Sequence, residues 1–166
     1  MTTETILSKE LLHNLFEYSD GNLIRKFTVN NRKAKKGDVA GCINKQGYLV
    51  TCINYKLHLN HRLIFMMHHG YLPKEVDHKD GNKLNNKIEN LRNATHIQNS
   101  QNVKLQKNNT SGVKNVSFEK RTKKWTVRIG IDGKYKSFGA YKDLELAELI
   151  AIEARNKHHG EYANHG

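Results

Sequence analysis

Two adjacent residues near the middle of the chain, Asp77 and His78, have the chemistry to take part in phosphodiester hydrolysis. That reaction needs a base to activate water, a positive centre to stabilise the phosphorane, and a group to neutralise the leaving 3′ oxygen. A neutral imidazole is a base near pH 7. A hard divalent cation meets the other two needs and prefers oxygen ligands such as carboxylates. Around the pair the chain reads Val76-Asp77-His78-Lys79-Asp80-Gly81-Asn82, then Asn85-Asn86, Glu89-Asn90-Leu91-Arg92 and Thr95-His96-Ile97-Gln98-Asn99.

Local structure must bring these groups to one place. Neighbouring side chains on a strand point to opposite faces, so Asp77 and His78 share a site only if the strand ends or bends there. The Asp80-Gly81 turn signal provides that end. Thr95-x-x-Gln98 has the spacing of a capping box and predicts a helix from Thr95. Asn99 then lies in its first turn, where its side-chain carbonyl oxygen can face a cation. Asp80, Gly81, Asn82, Asn85 and Asn86 are expected to shape the intervening loop through side-chain-to-backbone hydrogen bonds.

The run VDHKDGNKLNNKIENLRNATHIQN resembles the HNH (His-Me finger) nuclease family, in its phage and intron-associated homing-endonuclease branch. The resemblance implies a ββα-metal motif and assigns roles one residue at a time. Asp77 would be a metal ligand and His78 the general base. Asn90 would hold the loop and help orient His78 through a backbone carbonyl. Asn99 would be the second metal ligand, where many relatives carry a final His. The oxygen-only pair Asp77 and Asn99 points to Mg²⁺ or Mn²⁺ rather than zinc. Related nucleases often carry a His-Arg pair just upstream. Here it is His61-Arg62, with Arg62 expected on a DNA phosphate and His61 expected to pack at a helix start.

The preceding segment Asn60–His69 is expected to be a helix capped by Asn60 and ended by Gly70, with Leu63, Ile64, Met66 and Met67 inward. Upstream, Ser8–Phe16 predicts a helix with Ser8 as N-cap. Strands are expected at Leu23–Val29, Val39–Ile43, Tyr48–Ile53 and Lys56–Leu59, with turn signals at Asp20-Gly21 and Asn54-Tyr55. The loop Asn30–Lys36 carries Arg32, Lys33, Lys35 and Lys36 as candidate DNA-backbone contacts.

Downstream of a polar linker at Asn108–Gly112, three β-type runs precede an amphipathic helix over Asp143–His158. Asp132-Gly133 marks a tight turn, and Leu146, Ala147, Ile150, Ala151 and Ala154 are expected on one helix face. Between Lys114 and Lys136 there are eight basic residues and two acidic ones. Period-two alternation separates Trp125, Val127 and Ile129, expected in a core, from Lys124, Thr126 and Arg128, expected to face DNA. Arg128 is suited to a guanine edge, and Lys114, Lys134 and Lys136 to phosphates. The segment 110–162 resembles the ethylene-response-factor (Apetala-type) DNA-binding domain, through Gly112-Val113, Trp125, Arg128-Ile129, Phe138-Gly139, Tyr141 and the Ala-rich helix. That resemblance implies a three-stranded antiparallel sheet, backed by a helix, that enters the major groove.

The chain as a whole agrees with a polyanion partner. Its 166 residues include 28 Lys or Arg against 16 Asp or Glu, a net charge of +12 that favours nucleic acid. Apolar residues make up 37%, which argues for small modules rather than one large core. No apolar run approaches the ~20 residues of a membrane helix. Met1–Leu12 lacks a signal-peptide core, so a cytoplasmic location in a bacterial or phage-infected cell is expected. Cys42 and Cys52 lack metal-site spacing and are expected to be small buried hydrophobes. The predicted class is α+β in three segments: 1–59, an N-terminal helix with β segments; 60–107, the nuclease motif; and 108–166, the recognition module. The expected partner is double-stranded DNA, bound by a monomer that nicks one strand per site. A non-catalytic sequence-specific DNA-binding regulator and an RNA-binding protein are the alternatives.

Overall fold

Ser8 starts the first helix by accepting the Leu11 N–H on its hydroxyl at 3.1 Å, and α1 spans Lys9–Leu15. The computed structural model describes residues 7–29 and 34–166. Arg32 and Lys33 of the expected basic loop, and residues 1–6, lie outside the described residues. The architecture is mixed α+β, with four α-helices and four small antiparallel sheets among the described residues. The chain divides into two compact units, the first ending at Ala94 and the second spanning Thr95–Gly166. This division does not coincide with a boundary at 107/108.

In the first unit, α1 runs into β1 (Phe16–Ser19), which pairs with β2 (Asn22–Arg25). Asp20 and Gly21 turn the hairpin with φ of 45° and 86°, the left-handed conformation Gly adopts without cost. The strand stops at Arg25, short of the predicted Val29. β3 (Cys42–Ile43), β4 (Leu49–Ile53) and β5 (Lys56–Leu59) form a meander, with Asn54-Tyr55 at its second turn. Cys42 and Cys52 are exposed rather than buried. Cys52 sits opposite exposed Leu57, and Cys42 lies on a two-residue edge strand.

β5 passes directly into α2 (Asn60–His69). The helix ends as predicted at left-handed Gly70, whose N–H reaches the Met66 carbonyl at 2.8 Å. Its start differs from prediction. The N-cap is Leu59, and Asn60 makes tertiary rather than capping bonds. Its Oδ1 accepts the Thr51 hydroxyl at 2.7 Å, and its Nδ2 donates to the Ala40 carbonyl at 2.8 Å. Gly41 passes so close that an added Cβ would meet the Asn60 Nδ2 at 3.0 Å. Leu63, Ile64, Phe65 and Met67 are buried with Leu12, Phe16, Leu23, Val76 and Leu91, whereas Met66 is only half-buried. Asn60→Ala would strand buried partners on two other segments. It is expected to cost about 2–4 kcal/mol, allowing roughly 1–2 per lost bond, as measured by urea unfolding.

β6 (Glu75–His78) and β7 (Leu91–Ala94) close the first unit as an antiparallel pair, with Asp77 opposite Arg92 and His78 opposite Leu91. In the second unit, α3 (His96–Gln101) precedes β8 (Val116–Glu119), β9 (Lys124–Ile131), β10 (Lys134–Tyr141) and α4 (Leu144–His159). Asp143 caps α4, and the sheet order is β10-β9-β8. Ala147, Ala151 and Ala154 pack against Val113, Val116, Val127 and Ile129, with Trp125 and Ile150 at the margin. Leu146, expected on that face, is exposed. The small alanines let helix and sheet approach closely.

Candidate active site and nucleic-acid face

β6 includes both Asp77 and His78 and ends at His78. Asp77 and His78 are both 5% exposed. Strand alternation sends them to opposite sides. Asp77 meets its cross-strand partner Arg92, with Nε and Nη2 at 2.9 and 2.8 Å from Oδ2. His78 turns to Asn86, its Nε2 lying 2.9 Å from the amide Oδ1. An amide oxygen only accepts, so Nε2 carries the proton and Nδ1 holds the lone pair of the neutral ring. Burial lowers the His78 pKa below its ordinary value, outweighing the Asn86 bond and the charges of Asp80 and Asp77, which raise it. Burial therefore favours the uncharged ring.

The loop from 79 to 90 is held by its own side chains. Asp80 accepts the Asn82 N–H at 2.8 Å, the Asn85 amide at 2.7 Å and the Asn90 amide at 3.0 Å. Burial raises the Asp80 pKa, but those bonds outweigh it and hold the carboxyl below its ordinary range. Asn90 also donates to the Asn85 carbonyl at 2.8 Å and accepts the Asp80 N–H at 3.1 Å. These bonds cross-link the loop. Its backbone carbonyl accepts the Lys79 N–H at 2.8 Å. The side chain that fixes the His78 Nε2 is Asn86, 1% exposed and expected only to shape the loop.

Sequence reasoning also missed the wall of rings beside His78. The His61 ring, 5% exposed, lies 4.8 Å from that of His78 at 62°. Tyr48 is 5.3 Å from His61 and 6.2 Å from His78. The Lys83 ammonium sits 4.6 Å over the Tyr48 ring. Burial, then the charges of His78 and Arg62, lowers the His61 pKa from 6.5 to about 3. The unfolded chain therefore binds a proton on His61 over a range where the folded one does not. Stability is expected to fall as pH drops from 6.5 towards 3, with His61→Phe flattening that slope in unfolding curves.

Arg62 faces a different partner from the phosphate expected of it. It donates to the carbonyls of Lys74 and Pro73, both at 3.0 Å, and ties α2 to the approach to β6. Asn99 lies in the first turn of α3, in the second unit. The capping box is formed: Thr95 Oγ1 accepts the Gln98 N–H at 3.3 Å and Gln98 Oε1 accepts the Thr95 N–H at 2.8 Å. Asp77, a buried carboxylate, and Asn99, with its amide oxygen, are each of the donor type that a hard cation takes. Among the described residues there is no group of three or more His, Cys, Asp or Glu side chains placed to hold a metal ion.

The C-terminal sheet presents one outward face. Val127 and Ile129 are fully buried while Arg128 is exposed. Ser137 lies opposite Arg128, Ser117 opposite Thr126, Glu119 opposite Lys124 and Tyr135 opposite Gly130. Cross-strand partners share a face, so this surface holds Lys124, Thr126, Arg128, Ser137 and Tyr135. Lys134 and Lys136 are opposite Ile131 and Ile129, on the helix side rather than beside Arg128. Lys114 also departs from expectation. Its ammonium donates to the Gln101 carbonyl at 2.9 Å and to that of Val103, and burial pushes its pKa down to about 8.

The HNH endonuclease family model matches residues 58–101. Protein 3.8 of Escherichia phage T7 is 36% identical over 111 residues, covering 66% of this chain and 91% of that protein. An uncharacterised HNH endonuclease of Acanthamoeba polyphaga mimivirus is 38% identical over 114 residues, 67% of this chain and 60% of that protein. No solved structure matches. No helix among the described residues is long and apolar enough to cross a membrane. With residues 58–101 matched by the family model and a relative matched over most of its length, the chain belongs to the HNH endonuclease family of DNA-hydrolysing enzymes.

Proposed function

We propose that the protein is a homing-type endonuclease that cuts double-stranded DNA one strand at a time, with His78 as the base that deprotonates the attacking water. The observation that carries this reading is the His78 ring: buried, unprotonated at neutral pH, and held at Nε2 by Asn86 so that Nδ1 keeps its lone pair. Asn90 maintains the loop that delivers Asn86. Asp77 and Asn99 would hold Mg²⁺ or Mn²⁺. When bound, such an ion stabilises charge on the phosphorane and on the leaving oxygen. The charge of +12 supports attraction to the duplex.

The ethylene-response-factor-like module supplies site choice in this reading, with a monomer on the DNA. The three-stranded sheet, its packed helix and the outward Arg128 support it. Lys124 and Thr126 flank Arg128 on that face, whereas Lys114, Lys134 and Lys136 have secondary roles.

The test is incubation with phage genomic DNA and plasmid in Mg²⁺ or Mn²⁺, with cut ends mapped on both strands. Nicks at recurring sequences are expected. A purified protein that binds DNA specifically but never cuts would instead be a regulator. Arg128→Ala is expected to weaken specific binding by about 1–3 kcal/mol while leaving cleavage of non-specific DNA intact. Equal loss of both activities would show that Arg128 serves folding.

A further inference from the structure

The Asn86 bond holds the Nε2 of His78. The outer torsion of a histidine is broad, so packing against the ring also sets its plane. A base that presents Nδ1 in one direction depends on that packing. His61 is placed to give it, with its ring edge-on to His78 at 4.8 Å and almost no exposed surface.

We propose that His61 is a positioning residue for the cleavage reaction, holding the plane of the His78 ring so that Nδ1 keeps a single direction. The contact is built from several parts of the fold. Asn60, the residue before it, is bonded to Thr51 and to the Ala40 carbonyl and so anchors the first turn of α2. Arg62, the residue after it, ties the same turn to the carbonyls of Pro73 and Lys74, at the approach to β6. The element carrying His61 and the one carrying His78 are thus braced against each other. Tyr48 packs beside both rings, 5.3 Å from His61 and 6.2 Å from His78. Burial keeps His61 uncharged, so it does not oppose His78 when that ring takes up a proton.

The proposal rests on His78 being the base, and its test separates the two. His61→Phe keeps a ring, His61→Leu keeps apolar volume without one, and His61→Ala removes both. Each is compared as the full chain cutting plasmid DNA in Mn²⁺, with thermal midpoints measured alongside. His61→Phe is expected within a few-fold of the native kcat, whereas Leu and Ala lose on the order of 10- to 100-fold in kcat with KM for DNA unchanged. Equal activity of Phe and Leu, a rise in KM instead of a fall in kcat, or losses that simply follow the thermal midpoints would overturn it. If His61→Ala fails to fold, the Phe and Leu pair still decides.

A second readout does not depend on cleavage. In protein labelled with ¹³C-histidine, the two ring C–H signals of His78 are expected to stay single and sharp in the native chain and in His61→Phe, and to broaden or split in His61→Leu. Sharp, unshifted His78 signals in His61→Leu would sink the proposal whatever the base is. Full cleavage by His78→Ala would instead remove the base assignment and leave this readout to judge the ring contact.

Discussion

His78→Ala is expected to lose about 10²- to 10⁴-fold in single-turnover cleavage while binding duplex DNA as the native chain does. The magnitude is that of removing a positioned general base, and it follows from where the ring sits. His78 lies at the last residue of β6, and its Nε2 is occupied by Asn86. Nδ1 is the ring nitrogen with a lone pair, and burial keeps it unprotonated near pH 7. The native cleavage rate should therefore hold as pH falls through the ordinary histidine range and drop only below it. Asn86→Leu is expected to give a smaller loss, since the base remains but loses its fixed tautomer. The measurements are gel-resolved single-turnover cleavage and equilibrium binding in Ca²⁺. Undiminished cleavage by a pure His78→Ala preparation would end the assignment.

The second large effect concerns Asp77, and it divides into two parts. Asp77→Ala is expected to abolish metal-supported cleavage and also to cost about 3–5 kcal/mol of stability, because it leaves a buried guanidinium without its carboxylate. The Arg92 and Asp77 side chains are only 10% and 5% exposed, so water cannot replace the lost partner. The double variant Asp77→Ala with Arg92→Leu removes both charges. Its stability should return most of the way in urea unfolding, since an apolar pair often matches a buried ion pair. Its cleavage should stay absent. If cleavage returned with stability, Asp77 would be a structural residue with no part in the chemistry.

Whatever depended on neighbouring residues could be read directly from the sequence. The capping box at Thr95 and Gln98, the left-handed stop at Gly70 and the turns at Asp20-Gly21 and Asp132-Gly133 are written in three or four consecutive residues. Groups that act across the fold were harder. Asn60 has the type of a helix cap, but Thr51 and the Ala40 carbonyl give its amide two buried bonds that a cap would leave unmade. In a loop with four asparagines (Asn82, Asn85, Asn86 and Asn90), which one reaches His78 depends on the path of the chain, and it is Asn86 that bonds its Nε2. His61 is separated from His78 by a helix and a strand, so nothing local links them. The side of Lys134 and Lys136 was in fact countable. A two-residue turn at Asp132-Gly133 pairs Ile131 with Lys134, and from there Ile129 with Lys136. Following the turn rather than the charge would have put both lysines on the helix side.

The bonds that Lys114 makes to the end of α3 have a bearing on how such enzymes can be recombined. Lys114 holds the Gln101 and Val103 carbonyls, and Asn164, near the end of the chain, donates to the Asn102 carbonyl at 3.0 Å. The helix bearing Asn99 thus travels with the residues that follow it. Grafting a foreign specificity module after residue 107 would discard Lys114 and Asn164 and leave that helix without its tethers. A chimera joined between Ala94 and Thr95 would carry helix and tethers together, so in the proposed reading a foreign module joined there must bring its own metal-binding residue at the position of Asn99.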